Sequence, residues 1–332
     1  MTNVLMCVGR SVELLMRPEK VEELGTMVNL TVRNGMDRDE DLYSRTLQET
    51  QAEIVITGWA SPLLTEKVSS ENPQLKYLSQ LTGSVRPALD RAVIEKGVIV
   101  TNWGRLIGPT VAEASLLGIL SCLRRTTMVT LQMHTEGWWR DGRKSVESLF
   151  YQKVGLHGFG IIAQELVKLL APFRCEISTY SPHAPDNVLE EYGVRRETDL
   201  AKLYSENRVI SVHASKTDEN FHIVNADILA GMQDGGVLVN TARGAVIDTE
   251  ALTEELKKER IYASLDVYEE EPLPKDSPLR GLKNCQLTCH TAGPTPDRMV
   301  DMGDEAVENI RRYMNGEPLT NIVTPEKYDL IT

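Results

Sequence analysis

Lys153-Val154-Gly155-Leu156-His157-Gly158-Phe159-Gly160-Ile161-Ile162-Ala163 is the stretch from which the fold is read. A β-like run ends at His157, a G-x-G-x-x-A spacing follows at Gly158, Gly160 and Ala163, and a helix-compatible run, Gln164–Leu170, comes next. With a strand before it and a helix after it, this spacing marks a turn built to pass a dinucleotide pyrophosphate. Gly158 permits the tight turn, Gly160 lets the backbone approach the phosphates, and the small Ala163 lets helix and strand close on each other. The helix start, with Phe159, Ile161 and Ile162 around the glycines, offers N–H groups and the positive dipole end to an anion. An ordinary tight turn is the other reading of this motif taken alone.

Outward from the turn, the same alternation continues in both directions. Downstream, Glu176–Tyr180, Val209–His213, Val237–Asn240, Ala263–Asp266 and Gln286–Cys289 read as strands with helix-compatible runs between most of them. Upstream, Val4–Val8, Ile54–Thr57, Lys76–Leu81 and Val98–Val100 are β-like, and Asp39–Thr50 and Ala88–Glu95 are helix-compatible. The pattern predicts α/β architecture with two doubly wound parallel sheets. Pro109–His134 has helical apolar spacing and one acid, Glu113, so it is expected to be one long buried helix. A final helix is expected over Arg298–Asn315, stopped by Gly316 and Pro318, with Ile322-Val323 rejoining the first domain. The chain is thus expected to form one domain from 1–105 and 297–332, with 106–296 inserted as the dinucleotide-binding domain.

Polar side chains fall at the ends of several strand candidates. After Glu176–Tyr180, an NAD-specific fold usually presents an acid to the adenosine ribose. Here Ser181 stands in that place, with His183 the nearby group able to become cationic. NAD is the expected cofactor, and NADP is admissible. Arg243 follows Val237–Asn240 and is either a guanidinium that grips an α-carboxylate and polarises its carbonyl or a solvated loop arginine. Taken singly, Glu271 reads as surface charge in an acidic run and His290 as a strand-end histidine. Together they supply what reduction of a ketone needs, a proton donor titrating near neutrality and a carboxylate to fix its tautomer.

Composition narrows the partners. Against 36 Lys+Arg stand 48 Asp+Glu, a formal net charge of −12, which repels a phosphate backbone and argues against nucleic acid. No apolar stretch approaches the ~20 residues needed to cross a bilayer, and the start Met-Thr-Asn lacks signal-peptide features, so no membrane role is expected. Cys7, Cys122, Cys175, Cys285 and Cys289 are scattered and odd in number, which reads as reduced thiols in a cytoplasmic protein with no metal site.

These motifs resemble the D-isomer-specific 2-hydroxyacid dehydrogenase family, which includes phosphoglycerate, glyoxylate/hydroxypyruvate and D-lactate dehydrogenases. The likeness covers nearly the whole chain. It rests on Gly158–Ala163, Val212-His213-Ala214, Asn240-Thr241-Ala242-Arg243-Gly244, Leu265-Asp266-Val267 through Glu271-Pro272, and His290 with Gly293. The resemblance implies a flavodoxin-like substrate domain, a Rossmann cofactor domain, and oxidation or reduction of a small 2-keto or 2-hydroxy acid. It implies that His290 is the acid/base, Glu271 its partner, and Arg243 the anchor of substrate carboxylate and carbonyl. It puts Asp266 by the nicotinamide carboxamide, and His213, Thr241, Ala242 and Gly293 along the dinucleotide.

The first domain departs from the family pattern. Thr82-Gly83-Ser84-Val85-Arg86 stands where relatives carry G-x-G and Asp-Asn, so substrate contacts are expected at Gly83, Ser84, Val85 and Arg86, with Val85 replacing a glycine. Arg86 either binds a second acidic group or is a surface arginine. Cys289 replaces a common proline and Ile161 a common arginine. The family also implies a homodimer in which the Pro109–His134 helix and Trp138-Trp139 pack on the other subunit. Two alternatives share the fold: a dehydrogenase of formate or phosphite type, and a non-catalytic NAD(H)-sensing interaction protein like the C-terminal-binding corepressors.

Overall fold

A computed structural model describes residues 1–9, 12–33, 36, 39–137 and 146–330. Trp138 and Trp139 therefore lie outside the described residues. The chain divides into two compact units, Met1–Ile107 with Pro294–Thr332, and Gly108–Gly293.

In the first unit, β1 (Asn3–Cys7), β2 (Asn29–Val32), β3 (Ile54–Thr57), β4 (Tyr77–Gln80) and β5 (Ile99–Thr101) form a parallel sheet of order β2-β1-β3-β4-β5. Side chains alternate across it, as the two-residue strand period requires. Val4, Met6, Ile54, Ile56 and Tyr77 enter a core on one face, and Leu5, Cys7, Val55 and Leu78 a core on the other. A sheet covered on both faces needs near-continuous apolar strands, which explains why β1 and β3 lack the polar alternation of a half-exposed sheet. The helix Asp301–Asn315 packs Met302, Ala306, Val307 and Ile310 onto one of these cores and stops at Gly316, φ 69°. Ile322 bridges to Thr101, so the tail does return to this sheet.

The second unit is a seven-stranded parallel sheet built from β6 (Lys153–His157), β7 (Glu176–Tyr180), β8 (Arg195–Arg196), β9 (Val209–Val212), β10 (Val237–Asn240), β11 (Tyr262–Leu265) and β12 (Cys285–Leu287). Its order, β12-β11-β10-β9-β6-β7-β8, reverses direction between β6 and β9. In doubly wound sheets ligands bind at such a switch, beyond the carboxyl ends of the strands. Val154, Leu156, Val209, Val237 and Val239 face one core, and Ile210, Val212, Leu238, Ala263 and Leu265 the other. Each such fully buried Val, Leu or Ile side chain stabilises the unit by roughly 1.5–3 kcal/mol.

One sequence expectation is corrected and two strands are added. The long helix over Pro109–His134 is two helices, Gly108–Leu123 and Thr126–Thr135, broken where Arg125 turns left-handed at φ 55°. Its guanidinium is buried over the Tyr262 ring, 3.3 Å from the centroid, and bonds the Cys122 carbonyl. Tertiary contacts, not a helix breaker, end the helix there. The second helix has no buried residue, so only the first is a core helix. Strands β2 and β8 were not read from the sequence; both lie at sheet edges, and β8 is Arg195-Arg196, with no apolar residue to signal it.

Candidate active site

Registry sets the positions from which the site is built. Asn240 pairs with Leu265 and Leu265 with Leu287, so β10, β11 and β12 end level with one another. The residues just beyond those ends are Thr241–Arg243, Asp266 and Thr288–His290. Backbone bonds continue the alignment past the strands: Asp266 N–H donates to Asn240 O (3.0 Å) and His290 N–H to Asp266 O (2.9 Å).

Buried Asn240 shapes the turn that presents Arg243. Its Oδ1 accepts from Ala242 N–H (3.0 Å) and its Nδ2 donates to Arg243 O (2.9 Å). Arg243 Nη1 donates to Ala242 O at 2.6 Å. Burial lowers the pKa of this guanidinium and the nearby Glu271 carboxylate opposes that shift; the group stays cationic. Gly244 is required next, because a Cβ there would sit 1.9 Å from the Tyr268 carbonyl carbon, so this loop lies directly on the Tyr268–Glu271 loop.

Glu271 and His290 are brought together. His290 Nδ1 lies 2.6 Å from Glu271 Oε2, and Glu271 Oε1 accepts from Tyr268 N–H at 2.9 Å, so one carboxylate is held at both oxygens. Tyr268 in turn donates its hydroxyl to Thr288 O (2.6 Å) and Leu265 O (3.1 Å), tying the glutamate loop to the histidine strand. Burial pushes the Tyr268 phenol up to about 12, which keeps it a neutral donor. His290 has φ 54°, a conformation that strains a non-glycine residue by roughly 1–3 kcal/mol and persists only where its surroundings fix it. Here they do: buried Asp266 accepts Thr291 N–H (2.8 Å) and Thr288 Oγ1 (2.6 Å) at Oδ1 and Ala292 N–H (2.8 Å) at Oδ2. The carboxylate expected beside a nicotinamide is thus saturated by the loop that carries His290. The imidazole side chain is 53% exposed, with Nδ1 held by Glu271.

The glycine turn occupies the switch point. Gly158 has φ 98°, and a Cβ on it would come within 2.8–2.9 Å of His213 and Ala214 backbone atoms. A Cβ on Gly160 would meet none of the described residues within 4 Å, and Gly160 caps the helix Ile161–Leu170, whose Ala163, Leu166, Val167 and Leu170 are buried at helical spacing. Together these give a strand-to-helix turn with open space over its second glycine, which fits a bound pyrophosphate. The Phe159 side chain is buried edge-on against Tyr192, 5.8 Å between centroids, which leaves its backbone for a cofactor. Ile161 and Ile162 are half-buried at the helix start. His213 places Nε2 2.9 Å from Ser211 Oγ, while its Nδ1 is buried without a hydrogen-bond partner among the described residues. Thr241 Oγ1 lies 2.8 Å from Ser115 Oγ, Ala242 is buried, and a Cβ on Gly293 would meet nothing within 4 Å.

Ser181 follows β7 and faces an open cleft of about 470 Å³. The structure brings an arginine to it that sequence proximity did not reveal: Arg196 Nη1 donates to Ser181 O at 2.9 Å. In the first unit, Gly83 is fixed by Trp103, whose ring would be 2.2 Å from a Cβ there, and Asn102 Nδ2 donates to Gly83 O at 2.7 Å. Ser84 is half-buried, and its carbonyl accepts from Gln80 Nε2 at 3.4 Å. Val85 is fully buried in the core. Arg86 is exposed and donates to the carbonyls of Asp329 (2.7 Å) and Tyr328 (3.4 Å), so its guanidinium serves the end of the helix Pro325–Leu330.

Comparisons with known proteins bear on the family and the fold. The family model described as D-isomer specific 2-hydroxyacid dehydrogenase, NAD binding domain, matches residues 116–292. A hydroxypyruvate reductase of Thermotoga maritima is 38% identical over 221 residues, 65% of this chain and 70% of that one. A D-3-phosphoglycerate dehydrogenase of Methanocaldococcus jannaschii is 31% identical over 304 residues, 91% of this chain but only 56% of the relative. Among solved structures, a phosphoglycerate oxidoreductase from Rhizobium etli superimposes with a TM-score of 0.81 at 25% identity, covering 97% of this chain and 98% of that one.

Proposed function

The chain belongs to the D-isomer specific 2-hydroxyacid dehydrogenase family, and from that premise we propose that it interconverts a small 2-keto acid and its D-2-hydroxy acid with a nicotinamide cofactor. The observation that carries this reading is the 2.6 Å pairing of His290 Nδ1 with Glu271 Oε2, on a strand-end histidine held at φ 54°. The nicotinamide, when bound, supplies or accepts the hydride. His290, with Nδ1 held, has Nε2 to give a proton to the ketone oxygen in reduction and to take it back in oxidation. Glu271 selects that tautomer and steadies the imidazolium. Arg243 meets the substrate carboxylate with a planar fork and draws electron density from the adjacent carbonyl.

Cofactor binding is assigned to Gly158, Gly160 and the N–H groups that open the Ile161–Leu170 helix, with Ser181 at the adenosine end. Support comes from the open space over Gly160 and the cleft beside Ser181. A homodimer formed through the helix Thr126–Thr135 is part of the same proposal, supported by the half-exposed Leu131 and Met133 on a helix with no buried residue. Light scattering checks it against twice the 37.1 kDa chain mass.

The experiment that tests the function is cofactor oxidation by the purified protein against glyoxylate, hydroxypyruvate, pyruvate, phenylpyruvate, 2-ketoglutarate and 3-phosphohydroxypyruvate. Turnover with one of them is the expected result. Tight cofactor binding with no turnover across the panel would instead favour the sensing role.

A further inference from the structure

At the carboxyl end of β7 the cleft beside Ser181 is lined by Tyr180, Pro182, Ala184, Asp186 and Arg196 among others. In a doubly wound fold this strand end receives the adenosine ribose, and an acid there both binds the ribose hydroxyls and repels a 2′-phosphate. Ser181 removes that repulsion and leaves a hydroxyl able to donate. Arg196 comes from the neighbouring strand, where Thr179 and Arg196 are register partners. Its guanidinium is held in a fixed orientation: Nη1 donates to Ser181 O (2.9 Å), Nη2 to Ala184 O, and Nε (2.9 Å) and Nη2 (2.6 Å) to Asp186 Oδ1. The side chain is 28% exposed, whereas that of Asp186 is 83% exposed.

We propose that the cofactor is NADPH and that Arg196 reads its 2′-phosphate, exchanging the carboxylate of Asp186 for the phosphate. The proposal rests on the dehydrogenase reading above and names the cofactor of that same site. Asp186 is a solvent-facing carboxylate counter-ion; a phosphate monoester carries about −1.5 to −2 near neutral pH and offers more acceptor oxygens to the same fork. Glu197, the other acid in the cleft, is engaged elsewhere. Its carboxylate bonds Arg195 (3.2 Å) and the N–H groups of Thr198 (2.9 Å) and Asp199 (3.1 Å). His183 is exposed.

The test is equilibrium binding, by calorimetry, of NADPH, NADH, 2′,5′-ADP and 5′-AMP to the full chain and to Arg196→Gln, Arg196→Lys and Asp186→Asn. The wild type is expected to bind NADPH about tenfold or more tightly over NADH, with the same order for 2′,5′-ADP over 5′-AMP, as a charge-assisted bidentate contact implies. Arg196→Gln should bring the NADPH/NADH ratio close to one, Arg196→Lys should leave a reduced preference, and Asp186→Asn should widen it. Because Arg196 also ties down the Ser181–Ala184 loop, the ratio is the readout, not either affinity alone. Equal or tighter NADH binding in the wild type would overturn the proposal and leave the dehydrogenase reading standing. So would an Asp186→Asn variant whose NADPH/NADH ratio stays the same or narrows, since the Asp186 carboxylate would then not compete with a phosphate for Arg196. Absence of binding by both cofactors would overturn the dehydrogenase reading as well.

Discussion

Two alanine substitutions two residues apart should fail in different ways. Gly158→Ala puts a Cβ at φ 98°, with His213 C at 2.8 Å, Ala214 N at 2.9 Å and His213 O at 2.9 Å. All three neighbours are backbone, so none can rotate away. Strain at such a φ is about 1–3 kcal/mol and overpacking another 1–3, or roughly 2–6 kcal/mol together. For a domain of this size that lowers Tm by about 4–24 °C. Gly160→Ala has ordinary φ −87° and its Cβ meets nothing within 4 Å, so only the weaker capping of alanine is expected, about 1 kcal/mol. The added methyl instead stands where the pyrophosphate must approach the backbone, and cofactor affinity should fall about tenfold or more. Thermal melts and fluorescence titration with the reduced cofactor separate the two. A Gly158→Ala variant with wild-type Tm, or a Gly160→Ala variant with wild-type affinity, would refute the assignment of the turn.

The remaining predictions concern the charged groups. Glu271→Gln keeps an acceptor for Tyr268 N–H but removes the charge beside His290; at about 4 Å and a dielectric of 20–80 that charge contributes about 1–4 kcal/mol, so kcat should fall on the order of thirtyfold for this half-exposed pair. An unchanged kcat would remove Glu271 from the mechanism. Arg243→Lys keeps the charge and loses the fork, so kcat/KM should fall by about a hundredfold while cofactor affinity is kept, and wild-type kinetics would return Arg243 to the status of a loop arginine. Burial holds His157 at about 4 against an ordinary 6.5, its Nδ1 3.1 Å from Tyr204 OH. Its folded pKa lies below its unfolded one, so the stability it contributes is complete above pH ~6.5 and is lost as pH falls toward ~4, by up to about 1.4 kcal/mol per pH unit. His213, driven down to about 3 by burial and by His157, adds to the same slope. Melts at pH 7 and pH 5 should show a smaller acid shift for His157→Gln than for the wild type, and an equal shift would contradict this.

What the sequence disclosed and what it hid have physical reasons. β1, β3, β9 and β10 are buried on both faces, and burial demands apolar runs that are visible without a structure. The G-x-G-x-x-A turn was legible because the backbone constrains Gly158 and the packing constrains Ala163 locally. The break at Arg125 was hidden because the apolar pattern runs through it and the contact that ends the helix, the Tyr262 ring, lies far along the chain. Arg243, Glu271 and His290 could be named from their strand-end positions and the family resemblance. The work of Asn240, Tyr268 and Asp266 in fixing them is side-chain-to-backbone bonding, which leaves no periodic trace. Both residues Asn240 and Tyr268 sat inside recognised motifs without a role. Arg196 was missed for a simpler reason: it reaches Ser181 across a strand pair, not along the chain.

The most direct test of the account is His290→Asn, a residue that tolerates the φ of 54° found here, so that the loop held by Asp266 is preserved while the proton donor is removed. Cofactor affinity and the steady-state rate with the best keto acid are measured on the same preparation. Wild-type cofactor affinity with turnover reduced by about a hundredfold to ten-thousandfold is expected. Turnover near that of the wild type would contradict it.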